Sequence, residues 1–359
     1  MAGKKPPIII HTADLHLRDN SDERWRALLD IVQVGQKEGA QVLTISGDLF
    51  HEDVNAEKLK PELRKIFSGT GMTVLLLPGN HDSGAYVGGS YLGDDIVVLD
   101  DFLSPWESAE VCIWGFPFQT LSREEILARL MVVKDRLFLH KYNILLYHGE
   151  LLDSFFSRKD WGDEGEERYM PLKLSYFREL GFSCVLAGHF HSKFGTWRLP
   201  GGGHFVYPGS PVSITRRETG KRAVCIYQPG ENPYPYFLDS HHYQEVVVEL
   251  DPMAETDPVV EVEEKLRNVH SAAGIILVVS GFLDSSKTGK NEEKIAREIK
   301  DNFGLKCLEI CLEFRDVRFL LEDSLFQRFM AGLDKRHYPF EVKKEIRDLA
   351  LYSWMGMEK

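Results

Sequence analysis

The chain has 359 residues, 43% of them apolar, and a formal net charge of -12, which allows two domains with a real core and is not the basic balance expected of a nucleic-acid enzyme. Its five cysteines lack paired spacing, as suits a reducing compartment and not a disulfide scaffold. Apolar runs of about five to nine residues are too short to cross a bilayer, and the start MAGKKPPIII has no long apolar region, so a cytoplasmic protein is expected.

In chain order, residues 7–13, 41–47 and 73–78 read as buried strands, separated by helices at 22–37 and 54–67. In the first helix Trp25, Leu28, Leu29 and Val32 stand at i, i+3, i+4 and i+7 and predict one apolar face. A Gly-rich stretch, SGAYVGGSYLGDD, follows, then strands at 96–99 and 111–117, a helix at 122–134 and a strand at 142–147. A helix at 171–180 leads into a strand at 183–187, and residues 194–228 read as turns and strands. Strand–helix alternation that ends in hairpins predicts an α/β fold, a sandwich of two sheets with flanking helices.

The segment Gln228-Pro229-Gly230-Glu231-Asn232-Pro233 has linker chemistry. Beyond it, strands at 245–250, 274–283 and 305–314 alternate with two helices, one presenting Val259, Val262, Leu266 and Val269, the other Ile295 and Ile299 after an Asn291 cap. A small α+β cap is expected. Phe326, Phe329, Met330 and Leu333, then Val342, Ile346 and Leu349, predict two short amphipathic helices in the tail. The expected domains are 1–228, 229–320 and 321–359.

The chemistry sits at strand ends. Asp14 and His16 lie in IIIHTADLHL, Asp48 in VLTISGDLFH, Asn80 and His81 in VLLLPGNHD, His148 in ILLYHGE, and His189 with His191 in VLAGHFH. Singly, His and Asp after a strand are more often turn and capping residues. Together they form a mixed set of carboxylates, imidazoles and one amide that exceeds the roughly four to six ligands one divalent ion takes. Two ions are implied, with Asp48 as the natural bridging carboxylate. Thiolates of a structural zinc site are missing from these motifs. Manganese suits the mixed donors best, iron and zinc are tolerated, and magnesium, which prefers oxygen, suits them least.

This ordered set resembles the calcineurin-like metallophosphoesterases over roughly residues 7–228. The form Gly47-Asp48-Leu49-Phe50-His51 resembles that of the SbcD-type nucleases of DNA double-strand-break repair, as does Tyr207-Pro208-Gly209-Ser210-Pro211. The resemblance implies that Asp14, His16, Asp48 and His191 hold one ion, and Asp48, Asn80, His148 and His189 the other. It also implies that residues beyond 228 form a DNA-contacting cap, and that the tail docks an SbcC-type ABC ATPase. In place of the glycine usual in D-x-H-L-G, this chain has Arg18.

His81, next to Asn80 and not needed for the metals, is the expected general acid or phosphate-charge stabiliser; His51 is expected to position the substrate, and Asp82 to orient a neighbouring ligand. The expected function is a two-metal DNA exonuclease or endonuclease, with DNA as partner, an SbcC-type ATPase and a second copy of the chain as further candidates, and no membrane. The acidic balance is offset locally by Arg18, Lys193 and Arg198 and by Arg216, Arg217, Lys221 and Arg222, which read as a phosphate-tracking rim. A small-molecule phosphodiesterase or phosphatase on the same scaffold, or a non-catalytic DNA-repair scaffold, are the rival readings.

Overall fold

The structure, a computed structural model, describes residues 5–18, 22–86, 91–153 and 169–356. Residues 87–90 of the Gly-rich stretch, the first four residues of the chain start and the last three of the tail lie outside the described residues. The chain divides into two compact units, Met1–Tyr243 and Gln244–Lys359.

In the first unit the strands are β1 (Ile9–Thr12), β2 (Val42–Ser46), β3 (Thr73–Leu77), β4 (Ile96–Val98), β5 (Trp106–Glu107), β6 (Val111–Phe116), β7 (Tyr142–His148), β8 (Cys184–Gly188), β9 (Gly195–Arg198), β10 (His204–Tyr207), β11 (Ala223–Tyr227) and β12 (Tyr234–Phe237). One sheet has the order β12-β11-β1-β2-β3-β4 and the other β5-β6-β7-β8-β10-β9. Within the first, β1 to β4 are parallel; within the second, β6, β7, β8 and β10 are parallel. The expected two-sheet α/β architecture is what the chain adopts.

Because successive strand residues face opposite ways, Ile9, Val42 and Leu75 join Ile113, Ile144 and Leu186 in one core cluster shared by both sheets. Their neighbours Ile10, Leu43 and Val74 pack instead with Leu28, Ile31 and Leu63 of the helices Glu23–Lys37 and Ala56–Phe67. Sheets covered on both faces account for the nearly unbroken apolar runs. All five cysteines are free, four of them buried.

His11 is an exception in that core. It is fully buried, with Nδ1 3.0 Å from Thr44 Oγ1 and Nε2 3.2 Å from the Ala187 carbonyl of the opposite sheet. A neutral ring satisfies both contacts, Nε2–H donating to the carbonyl and Nδ1 accepting from the hydroxyl. Burial pushes its pKa from 6.5 down to about 3. The unfolded chain therefore binds this proton more readily than the folded one, so the His11 contribution is complete at pH 7 and is lost as pH falls from 6.5 towards 3, at up to about 1.4 kcal/mol per pH unit. Thermal melts of wild type and His11→Gln between pH 7 and 4 should show the steeper acid loss in wild type; parallel curves would remove His11 as the source.

The second unit contains β13 (His242–Leu250), which begins at the boundary, β14 (Ala273–Leu283) and β15 (Cys307–Asp316), in that order in one sheet, with β14 and β15 parallel. Helices Pro258–Arg267 and Glu292–Phe303 bury Val262, Ile295 and Ile299, and the Asn291 side chain caps the second by accepting from the Lys294 N–H. Tail helices Arg318–Glu322, Ser324–Asp334 and Phe340–Trp354 follow.

Several expectations change in detail. Residues 234–237 pair with β11, so the first unit runs past 228 to Tyr243. The helix expected at 171–180 is only a short 3-10 stretch, Leu174–Glu179. Leu29 is 43% exposed while Ile31 is buried, because the buried stripe of that helix lies away from the expected i+4 position. The strand expected at 305–314 begins at Cys307, and a register shift between Ile275 and Ile276 leaves Leu308 bulged out and exposed. In the last helix Arg347, Asp348 and Leu351 are the buried residues, with Val342 and Leu349 exposed. The Arg347 guanidinium lies 3.0 Å from Asp251 and 2.8 Å from Asp348, so an ion-pair cluster outcompetes the aliphatic stripe for the packed face.

Candidate metal centre

Every motif residue stands at or just past the carboxyl end of a parallel strand: Asp14 and His16 after β1, Asp48 after β2, Asn80 and His81 after β3, His148 at the end of β7, His189 and His191 after β8. Both sheets thus deliver donors to one edge. The turn there is tight enough to force unusual backbone. Among the described residues five non-glycine residues have positive φ, and four of them are Asp14 (54°), His16 (48°), Asp48 (50°) and His189 (94°), conformations uncommon outside glycine that cluster at functional sites. Close approach also fixes two glycines. A Cβ on Gly79 would lie 2.1 Å from Asp48 Oδ1, and one on Gly47 1.9 Å from His148 Nδ1.

Among the described residues three trios bring donor atoms within 4.8 Å of one another: Asp14, His16 and His191; Asp14, Asp48 and His148; His16, Asp48 and His81. They overlap through Asp14, His16 and Asp48, as two neighbouring ions with shared ligands require. His16 Nε2 is 3.3 Å from His191 Nε2 and 3.7 Å from Asp48 Oδ2. Nitrogens each about 2.1 Å from a common ion stand about 3–3.4 Å apart, so this pair already has the spacing of two ligands. On the other side His148 Nε2 lies 2.7 Å from Asn80 Oδ1 and 3.3 Å from Asp48 Oδ2, while His148 Nδ1 is held 2.9 Å from the Ser46 carbonyl. His189 joins none of the three trios; its ring centroid is 5.3 Å from that of His148, and its backbone N–H donates to both Asp14 oxygens at 2.9 and 3.0 Å.

Asp48 holds the centre. Its Oδ1 accepts the His81 backbone N–H at 2.9 Å, whereas Oδ2 is buried with no sound hydrogen bond despite two imidazoles within 4 Å. An orphaned, buried carboxylate oxygen facing imidazole nitrogens fits a divalent cation. The electrostatics agree. Burial pushes the Asp14 carboxyl up to about 7 against the pull of His191 and His148. Burial acts the same way on Asp48, but His148, His16 and His81 outweigh it and hold that carboxyl well below the usual range. Burial disfavours a charged His148, yet Asp48 and Asp14 raise it to about 10. The His148 imidazole thus carries positive charge of the kind an ion would bring.

His81 and His51 stand on the rim, half-buried, with rings nearly parallel, 11° between planes and 6.2 Å between centroids. His81 Nδ1 is 3.3 Å from Glu52, and His51 Nε2 hydrogen-bonds the Arg18 guanidinium. His81 also falls within one donor trio, closer to the metal side than sequence alone suggests. The hydrogen bonds of Asp82 go to the backbone and a tyrosine, not to a ligand side chain. Its carboxylate accepts from the N–H groups of Leu49, Phe50 and Gly79 and from the Tyr86 hydroxyl at 2.8, 3.2, 2.8 and 2.9 Å, pinning the loop after β3 to the residues behind Asp48.

Arg222 leaves the expected phosphate rim. It is 1% exposed, and its guanidinium donates to the carbonyls of Ser210 and Ser192 at 2.9 and 2.6 Å and to that of His191; burial lowers its pKa to about 10. Arg216, Arg217 and Lys221 are exposed. Sequence reading also missed Glu218, fully buried with Oε1 3.5 Å from His191 Nδ1. The only sequence signal was an acidic residue in a run of basic ones.

A profile of the family described as calcineurin-like phosphoesterase matches residues 8–193. Comparison with curated proteins gave no match. Among solved structures, the chain is similar to a dimetal phosphatase from Danio rerio, with 12% identity, a TM-score of 0.44 and coverage of 65% of this chain and 99% of that one. It is also similar to a purple acid phosphatase from yellow lupin (Lupinus luteus) seeds, with 11% identity, a TM-score of 0.44 and coverage of 66% and 52%. The protein TT1561 of Thermus thermophilus matches with 13% identity, a TM-score of 0.39 and coverage of 61% and 93%.

Proposed function

Because the chain belongs to the calcineurin-like phosphoesterase family and is a metal-dependent hydrolase of phosphoester bonds, we propose that it is a two-metal DNA nuclease of the SbcD type, acting in double-strand-break repair. The observation that carries the reading is the convergence of donors from both sheets on the bare Asp48 Oδ2. Support for DNA as substrate comes from the G-D-L-F-H form and from the second unit of 116 residues, Gln244–Lys359, which a small substrate would not require. Among the described residues the donor trios all lie in the first unit, which leaves the second free to bind DNA.

Asp14, His16, Asp48 and His191 would hold one ion and Asp48, Asn80, His148 and His189 the other, with manganese as the metal. Bound ions would supply Lewis acidity and an activated water. His81 has the place of a general acid. Its Nδ1–H can donate to Glu52, which leaves Nε2–H to protonate the leaving alkoxide. His51 is neutral and its Nε2 accepts from Arg18, so it holds that guanidinium as the single cation facing the entering phosphate, and exposed Lys193, Arg198, Arg216, Arg217 and Lys221 extend the positive charge along the backbone. The tail, with Phe340 and Phe319 73% and 74% exposed, is the segment to test for an SbcC-type ATPase or a second copy of the chain.

The test is hydrolysis of linear duplex DNA, bis-p-nitrophenyl phosphate and a phosphomonoester by the purified chain with manganese, iron, zinc or magnesium. Manganese-dependent loss of linear DNA and of the diester is expected. Hydrolysis of the monoester alone would make the protein a phosphatase.

A further inference from the structure

We propose that Glu218 is the positioning residue for His191, fixing which ring nitrogen faces the metal; the assignment rests on the two-metal reading above. The loop between β10 and β11 folds back so that Glu218 is fully buried with its carboxylate against the His191 ring. Oε2 accepts the Ile214 N–H at 2.7 Å and the Ser210 hydroxyl at 3.3 Å, and Oε1 accepts the Thr215 hydroxyl at 3.2 Å. Those neutral donors hold the carboxylate without requiring its charge, which the buried Arg222 guanidinium offsets in part and the His191 ring meets directly. A buried anion is costly unless it is used.

The partner is geometric. Glu218 Oε1 stands 3.5 Å from His191 Nδ1, and the other nitrogen, Nε2, points the opposite way to lie 3.3 Å from His16 Nε2. With Nδ1–H directed at the carboxylate, Nε2 keeps its lone pair for an ion. Arg222 completes the device from the backbone side. By collecting the carbonyls of His191, Ser192 and Ser210, it fixes the strand-end turn that carries the ring, so ring and backbone are each held by one member of the same loop.

The experiment titrates the intact protein with manganese, followed by electron paramagnetic resonance, and compares wild type with Glu218→Gln, which keeps the volume and an acceptor for Ile214 but removes the anion. One of two ions should bind about 10–100-fold more weakly in the variant while the other is unchanged, with circular dichroism of the metal-free protein unaltered. Equal affinities for both ions in the two proteins overturn the Glu218 assignment alone. A wild type that binds no ion overturns the two-metal reading and the assignment with it. Should Glu218→Gln fail to fold, nitrogen NMR of the zinc-loaded wild type decides: His191 protonated at Nδ1 supports the assignment, and protonation at Nε2 overturns it.

Discussion

Asp48→Asn is expected to strip the protein of both ions and to lower hydrolysis of linear DNA by roughly 10⁴-fold or more, beyond the range of a lost general acid. Asp48 sits in two of the three donor trios, and its Oδ2 is the orphaned atom between His16 and His148. Asparagine keeps the shape, still offers an oxygen to the His81 N–H, and tolerates the left-handed backbone at φ 50°. The fold should therefore survive while the bridging anion is lost. Emission spectrometry for bound metal, beside the rate, checks this; a variant that retains both ions would remove Asp48 from the bridge.

His81→Asn should do the reverse, leaving both ions bound while slowing DNA hydrolysis by roughly 10²–10⁴-fold. Its backbone N–H, the part that touches Asp48, is kept. The side chain lost is the one between Glu52 and the site. A leaving alkoxide needs a proton and a nitrophenolate hardly does, so the loss on bis-p-nitrophenyl phosphate should be much smaller than on DNA. Equal losses on both substrates would make His81 a charge stabiliser, and loss of metal would make it a ligand, as its membership of one trio allows.

The strands and their tips were legible because two simple signals coincide. Short apolar runs mark strands covered on both faces, and a polar residue after each run has nowhere to go but the sheet edge, as with Asp48 after Val42–Ser46. The residues missed are those whose roles depend on tertiary contact alone. Glu218 is 27 positions from His191 in a loop without periodicity, and Arg222 looks in sequence like its exposed neighbours Arg216 and Arg217. In the tail, the stripe of Val342, Ile346 and Leu349 misled because Arg347 found an ion-pair partner in Asp251, and no helical period encodes that choice.

The left-handed backbone at Asp14, His16 and Asp48 also bears on how this protein can be engineered. Such a conformation costs a residue with a Cβ up to roughly 1–2 kcal/mol that glycine does not incur, with His16 nearer that limit than the two aspartates. The places where the fold has most to gain are therefore the places where the chemistry has everything to lose. Directed evolution for heat resistance alone would be drawn to these loops and would return rugged, inactive proteins. Selection coupled to metal retention would push the improvements out to the helices and the second unit.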